Sequence, residues 1–291
     1  MSGQLKRKEP VGRGLHRVCK LRVKKALANL KESDQPDAIH DVRKEVKKMR
    51  AVFRLARGTL SKKQYRKTAE TMRLMGKPLA ATRDACVTKK ALGLLAGRKA
   101  QEFAEIRSSL EAHFNRSERN FADNDLGSLA KLLLKCVENQ LADLSFKEIG
   151  WEAVRTCLTA SYTRGREAFQ QAIVKPAPES FHDWRKRVKD LWYQLDFLCP
   201  EWPKNSRAML DSLEELGEQL GDDHDLVLLG QFVKEHCDSS KETLKLQKLI
   251  DTKRHEYGAG IRRLGTRIYA KLPEEMCAKL EEDWKSWRKG K

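Results

Sequence analysis

Apolar residues recur at spacings of three and four along almost the whole chain, and sustained alternation of β-branched residues is nearly absent. That spacing lays one apolar stripe along a helix, whereas a half-buried strand needs a period of two. The pattern predicts helices over 12–31, 37–58, 62–75 and 83–113, followed by a polar break from Asn115 to Asp125. It resumes over 127–144, 151–174, 179–198, 205–220, 222–236, 241–270 and 274–288. The expected fold class is all-α. Composition agrees, because only 17 Gly and 8 Pro interrupt 291 residues, and 40% of the chain is hydrophobic, enough for a core.

The same stretch of pattern occurs twice. Pro36 to Leu55 reads PDAIHDVRKEVKKMRAVFRL and Pro178 to Phe197 reads PESFHDWRKRVKDLWYQLDF, with seven identities in 20 gap-free positions at an offset of 142. Gly76, Leu79 and Asp84 then correspond to Gly217, Leu220 and Asp225 at an offset of 141. Upstream, Arg22 and Lys24 correspond to Arg164 and Arg166, again at 142. Colinear matches of this kind mark a duplicated unit. The halves, 1–146 and 147–291, divide near Ser145 to Gly150.

At about 100° per residue the first copy places Val42, Val46, Met49 and Phe53 on one stripe. His40, Arg43, Lys47, Arg50 and Arg54 fall on a flanking stripe. The second copy puts Trp184, Val188, Leu191 and Leu195 inward, with His182, Arg185, Lys189 and Trp192 beside them. Pro36 and Pro178 mark where these helices begin. Arg17, Lys20 and Lys24, with Arg13, form a basic stripe on the first helix, diluted in the second half to Arg155, Tyr162 and Arg166. Two helices from each half, facing one another across a pseudo-two-fold axis, would wall a basic channel.

Charge changes the picture from fold to partner. Fifty-nine Lys and Arg against 41 Asp and Glu leave a net +18. Like charges spaced four apart destabilise a helix, so a stripe of them fits a linear array of negative charge. Arg offers planar paired donors to phosphate oxygens, Lys a mobile point charge, and His a donor whose charge responds near neutrality. Glycine and thiol patterns add little. Gly76 and Gly217 read as helix-ending or close-packing residues, and seven scattered Cys contain no C-x-x-C pair, as expected of reduced thiols in a cytosolic protein. The first ten residues are basic and lack a signal-like apolar run, and the best such run, Leu226 to Val233, is too short to span a bilayer. A soluble, intracellular protein with no membrane partner is expected.

At these residues the sequence resembles the CHAD family, the conserved histidine α-helical domain. His40-Asp41-Val42-Arg43-Lys44 and the run from His182 through Arg185, Lys186 and Lys189 to Tyr193 look like its two copies. Tyr162 to Arg166 looks like the helix before the second His, and Arg83-Asp84 and His224-Asp225 look like its turns after Gly-x-x-Leu. The resemblance implies two pseudo-two-fold related four-helix bundles enclosing a basic groove or pore that binds inorganic polyphosphate. It also implies a place at polyphosphate granules within the cytoplasm. No strand-rich region accompanies it, so a stand-alone binding domain is expected.

The binding reading has rivals. His-Asp dyads at His40, His182 and His224 resemble those of metal-dependent phosphohydrolases, but Arg and Lys follow within a turn and would repel the metal. No carboxylate pair, nucleophile elbow or P-loop stands out, and no cofactor or metal is implied. Single-stranded or non-specific nucleic-acid binding is the stronger rival, since Trp184, Trp192, Tyr193 and Tyr162 lie near the basic face. The first-copy stripe carries no aromatic, which suits a polymer without bases. The expected role is therefore non-catalytic. Arg43, Lys47, Arg50, Arg185 and Lys189 neutralise successive phosphates, and His40 and His182 donate hydrogen bonds at the groove entrances. Other phosphate polyanions, and sulfate or phosphate ions, would bind the same face, with nucleic acid weaker.

Overall fold

The computed structural model describes residues 3–31, 38–147 and 149–290, apart from the side chains of Arg98 and Ala100. Every regular element among them is helical. In chain order these are α1 (Val11–Lys31), α2 (Ala38–Phe53), α3 (Lys62–Leu74), α4 (Ala80–Ala96), α5 (Ala104–Asp123) and α6 (Leu126–Ala142). The second half supplies α7 (Trp151–Val174), α8 (Pro178–Leu198), α9 (Lys204–His236), α10 (Lys241–Ile268) and α11 (Pro273–Lys289).

Four boundaries differ from expectation, each for a local reason. The polar break at Asn115 to Asp125 lies almost wholly inside α5, because Phe121 packs on the core while the polar residues face water. The stop comes at Asp125, whose left-handed backbone (φ 45°) and side chain cap α6 at the Ser128 amide. The predicted helix 83–113 is interrupted by a 3-10 segment, Gly97–Phe103, that opens on Gly97 at φ 50°, a conformation glycine adopts freely. Helix α2 tightens after Phe53 into a 3-10 turn, Arg54–Ala56. The predicted helices 205–220 and 222–236 are one 33-residue helix, α9, with Gly217 and Gly221 in its interior. Pro178 opens α8 as expected, whereas Pro36 lies outside the described residues.

Packing repeats as the sequence does. Helix α1 packs on α2 as α7 packs on α8, α1 on α6 as α7 on α11, and α4 on α5 as α9 on α10. Across the repeat, α2 meets its counterpart α8, and α4 meets the C-terminal part of α9. One buried cluster runs from Leu5 to Trp287 through both halves, and a smaller one joins α4 and α5 to α9 and α10. The N-terminal segment is tied down where the chain ends. The Leu5 amide donates to the Phe197 carbonyl at 2.7 Å, and Arg288 donates to the carbonyls of Lys6 and Glu9. All seven thiols are free, with Cys19, Cys199 and Cys277 buried. Among the described residues no helix is long and apolar enough to cross a membrane.

Candidate polyanion-binding site

Two buried stripes aim the basic residues. Val42, Val46, Met49 and Phe53 of α2, and Trp184, Val188, Leu191 and Leu195 of α8, are all buried. With those faces in the core, the neighbouring stripe of each helix turns toward the other. Lys47 sits among Arg185, Arg43 and Arg83, and Lys44 interacts with Lys189. Farther along, the Lys48 ammonium lies 5.9 Å from the Tyr193 ring, and Gln194 Nε2 donates to the Ala51 carbonyl at 3.1 Å. Arg54 ion-pairs with Asp190. Contacts between the two helices thus extend from Lys44 to Arg54 on one and from Arg185 to Gln194 on the other.

Helices α4 and α9 close the cluster. Arg83, 7% exposed, donates to Asp84 at 3.0 Å and to Asp225 at 3.2 Å. On α9, a Cβ added to Gly217 would come within 2.7 Å of Lys189 Cε, and one added to Gly221 within 3.3 Å of an Arg185 guanidinium nitrogen. Glycine inside a helix costs about 1 kcal/mol relative to alanine. Here the two glycines make a ledge that lets the α8 cations lie flat against α9. The result is a cleft of about 720 Å³ whose charged lining includes His40, Arg83, Arg185 and Lys189.

The electrostatics are those of crowded like charge. No carboxylate ion-pairs with Arg43, Lys47, Arg50, Arg185 or Lys189 among the described residues. Arg43 donates instead to the Gly76 carbonyl at 2.7 Å. Burial, then the positive charge of Arg185, Arg43 and Arg83, pushes the Lys47 amine down to about 7. Burial lowers the Arg43, Arg185 and Lys189 groups as well. His182 stacks on His224 with centroids 4.2 Å apart. Burial and nearby cations push these two down to about 4 and about 3. Both imidazoles are neutral at pH 7, so the expected response near neutrality is displaced to acid. His40 is lowered as well, first by burial and then by Arg83 and Lys47. Buried His182 Nδ1, Arg43 Nε and Arg185 Nε have no hydrogen-bond partner among the described residues.

The cluster brings together His40, Arg43, Lys47, His182, Arg185 and Lys189, with Lys44 exposed at its rim. Arg50 and Arg54 line a different cavity of about 540 Å³ with Arg66, Lys67 and Arg73 of α3. Lys24 lines another, of about 770 Å³, beside Lys31, Lys131 and Lys135, and Lys20 is exposed on α1. Lys186 is exposed and ion-paired with Asp183 at 2.9 Å. Three further expected residues are placed as follows. Arg17 is bound by both oxygens of Glu9 and by the Gln4 carbonyl, so its donors are engaged within the N-terminal segment. Tyr162 is fully buried and donates between the Ile268 and Lys271 carbonyls, with Arg166 beside it, away from the cluster. Tyr193 is buried between α2 and α8, where its ring meets Lys48 and Trp192. Residues missed as site members are Arg83, Gly221 and His224. Arg83 and His224 adjoin the matched Asp84 and Asp225 of the repeat, whereas Gly221 falls opposite Ala80 and carried no such signal.

Fold and site define the class: an all-helical protein in which the basic helices α2 and α8 pack against one another. The family model described as CHAD domain matches residues 17–234, and the chain belongs to that family. Its fold is similar to that of PptA from Streptomyces chartreusis, with a TM-score of 0.63 at 14% identity over 90% of this chain and 100% of that one. It is also similar to the crystal structure of the CHAD domain from the plant Ricinus communis, with a TM-score of 0.57 at 17% identity over 92% and 93% of the two chains. No curated protein matches.

Proposed function

We propose that this CHAD domain binds inorganic polyphosphate without transforming it, in a basic groove enclosed by two pseudo-two-fold related four-helix bundles. One observation carries the reading. Arg43 and Lys47 from α2 and Arg185 and Lys189 from α8 share one cluster, and among the described residues no carboxylate ion-pairs with any of them. Four basic groups held at that proximity repel one another when charged, and a run of phosphates relieves the repulsion while satisfying their donors. Each half has one cation of its stripe engaged, Arg54 by Asp190 and Lys186 by Asp183. His40 and His182 then donate as neutral imidazoles, and a polyanion raises their affinity for protons. Family membership supports the ligand class. A cytoplasmic protein recruited to polyphosphate granules follows from the same reading. Among the described residues no three His, Cys, Asp or Glu are placed to hold a metal ion.

The test is calorimetric titration at about 150 mM salt, where the Debye length is about 8 Å and weak surface attraction is screened. Long-chain polyphosphate, single-stranded DNA and double-stranded DNA are each titrated into wild type and the variant Arg43→Ala/Lys47→Ala/Lys189→Ala. Tight polyphosphate binding that the variant loses, with DNA much weaker, supports the reading. Equal DNA binding, or a variant as tight as wild type, sinks it.

A further inference from the structure

The cleft between α2, α4, α8 and α9 has two kinds of lining, and inorganic polyphosphate has a use for only one. His40, Arg83, Arg185 and Lys189 supply the cations. Val87 and Leu95 of α4, Phe114 of α5, Leu226 of α9 and Tyr257 of α10 supply apolar surface in the same cavity, and Leu94 stands 86% exposed at it. The cavity also presents the carboxylates of Glu118, Glu218 and Asp222. Carboxylates repel a polymer made only of phosphate, and hydrocarbon offers it no compensation for lost hydration.

A ligand that uses the whole lining carries phosphates at one end and a flat, weakly polar ring at the other. Between them it needs hydroxyl or amino donors for the carboxylates. We propose that this cleft binds nucleoside triphosphates, with the phosphate chain on the cations, ribose and base donors on the carboxylates, and the base against Phe114 and Tyr257. The inference rests on the cationic wall of the polyphosphate reading and adds a ligand class that has a base. Size fits, because drug-sized ligands occupy cavities of about 300–1,000 Å³. The ring surface is held in place. The Tyr257 hydroxyl donates to Asp222, Lys253 lies 5.3 Å from the Tyr257 ring, and Lys89 lies 5.0 Å from the Phe114 ring. Selectivity among bases would be slight, since stacking tolerates any of them.

The experiment compares ATP with inorganic tripolyphosphate, which has the phosphates and no base, by calorimetry on the full chain without divalent ions. Long-chain polyphosphate is titrated in parallel. ATP is expected to bind about tenfold more tightly than tripolyphosphate, the stacking of one base on an aromatic platform. In Phe114→Ala/Tyr257→Ala that advantage disappears while tripolyphosphate affinity is unchanged. If the double variant does not fold, Phe114→Ser, on the half-buried face of α5, carries the same comparison. Equal affinities for ATP and tripolyphosphate in wild type overturn the inference, as do equal losses of both in the variant. Long-chain binding without an ATP advantage leaves the polyphosphate reading standing and removes this one. An ATP advantage without long-chain binding does the reverse.

Discussion

Arg83 donates to Asp225 at 3.2 Å across the boundary between the halves. Its other nitrogen holds Asp84, the residue at the same position of its own half. One buried guanidinium therefore joins two equivalent carboxylates at the edge of the cleft. Arg83→Ala removes the ion pair of half-buried Asp225 and leaves Arg185 as its remaining nearby cation. Breaking such a pair costs about 2–3 kcal/mol, less than for a fully buried pair because Asp225 still reaches water. Urea unfolding measures it, and a shift below about 0.5 kcal/mol, the range of neutral surface changes, would contradict the role.

The glycine ledge separates stability from binding. In Gly217→Ala the new methyl pushes the flexible end of Lys189 aside, a small cost, while helix propensity gains about 1 kcal/mol. Unfolding stability is expected to hold or rise, and polyphosphate affinity to fall several-fold. Unchanged affinity would show that Lys189 does not need its seat on α9.

Protonation should follow the ligand. The Lys47 amine sits at about 7 in the folded protein against 10.5 ordinarily. A base held below its ordinary value is disfavoured in its charged form, so between those values the unfolded chain binds more protons and stability rises with pH. His182 and His224, lowered to about 4 and about 3, act in the acid range. There the free protein loses stability as pH falls below the ordinary 6.5. Urea midpoints against pH follow both slopes, and Lys47→Met should flatten the upper one. A polyanion restores the Lys47 charge, so binding at about pH 8 should take up a proton, read as a dependence of binding heat on buffer ionisation enthalpy. No uptake would place Lys47 outside the bound cluster.

Salt dependence counts the contacts. With roughly five phosphates neutralised, log K against log salt should slope at about −3 to −4, taking about 0.7 per phosphate for a single strand. Removing Arg43 or Arg185 should lower the slope by about 0.7 each. A slope untouched by both would move the site elsewhere on this basic surface.

Tyr162→Phe removes a buried hydroxyl that bridges two carbonyls. Stability should fall by about 1–2 kcal/mol, the usual cost of unsatisfied buried acceptors, and polyphosphate affinity should stay as it was. Weakened binding in the folded variant would return Tyr162 to the site.

The all-α class, the duplication and the two basic stripes are local properties of this chain. Spacing of three and four decides which residues share a helix face, and the buried sets from Val42 to Phe53 and from Trp184 to Leu195 are the ones the spacing names. Which cations meet is not local. Arg43, Lys47, Arg185 and Lys189 converge because α2 packs on α8, whereas Arg50 and Arg54 on the same stripe turn with the end of α2 into another cavity. The pattern likewise could not show that Tyr162 is consumed by the carbonyls after α10, or that Arg17 is captured by Glu9. Gly217 read as a possible helix end because propensity counts it as a breaker. Only packing against Lys189 and Arg185 reveals why α9 continues through it and Gly221. Periodicity determines faces, and the contacts between faces more than a hundred residues apart depend on how the helices dock.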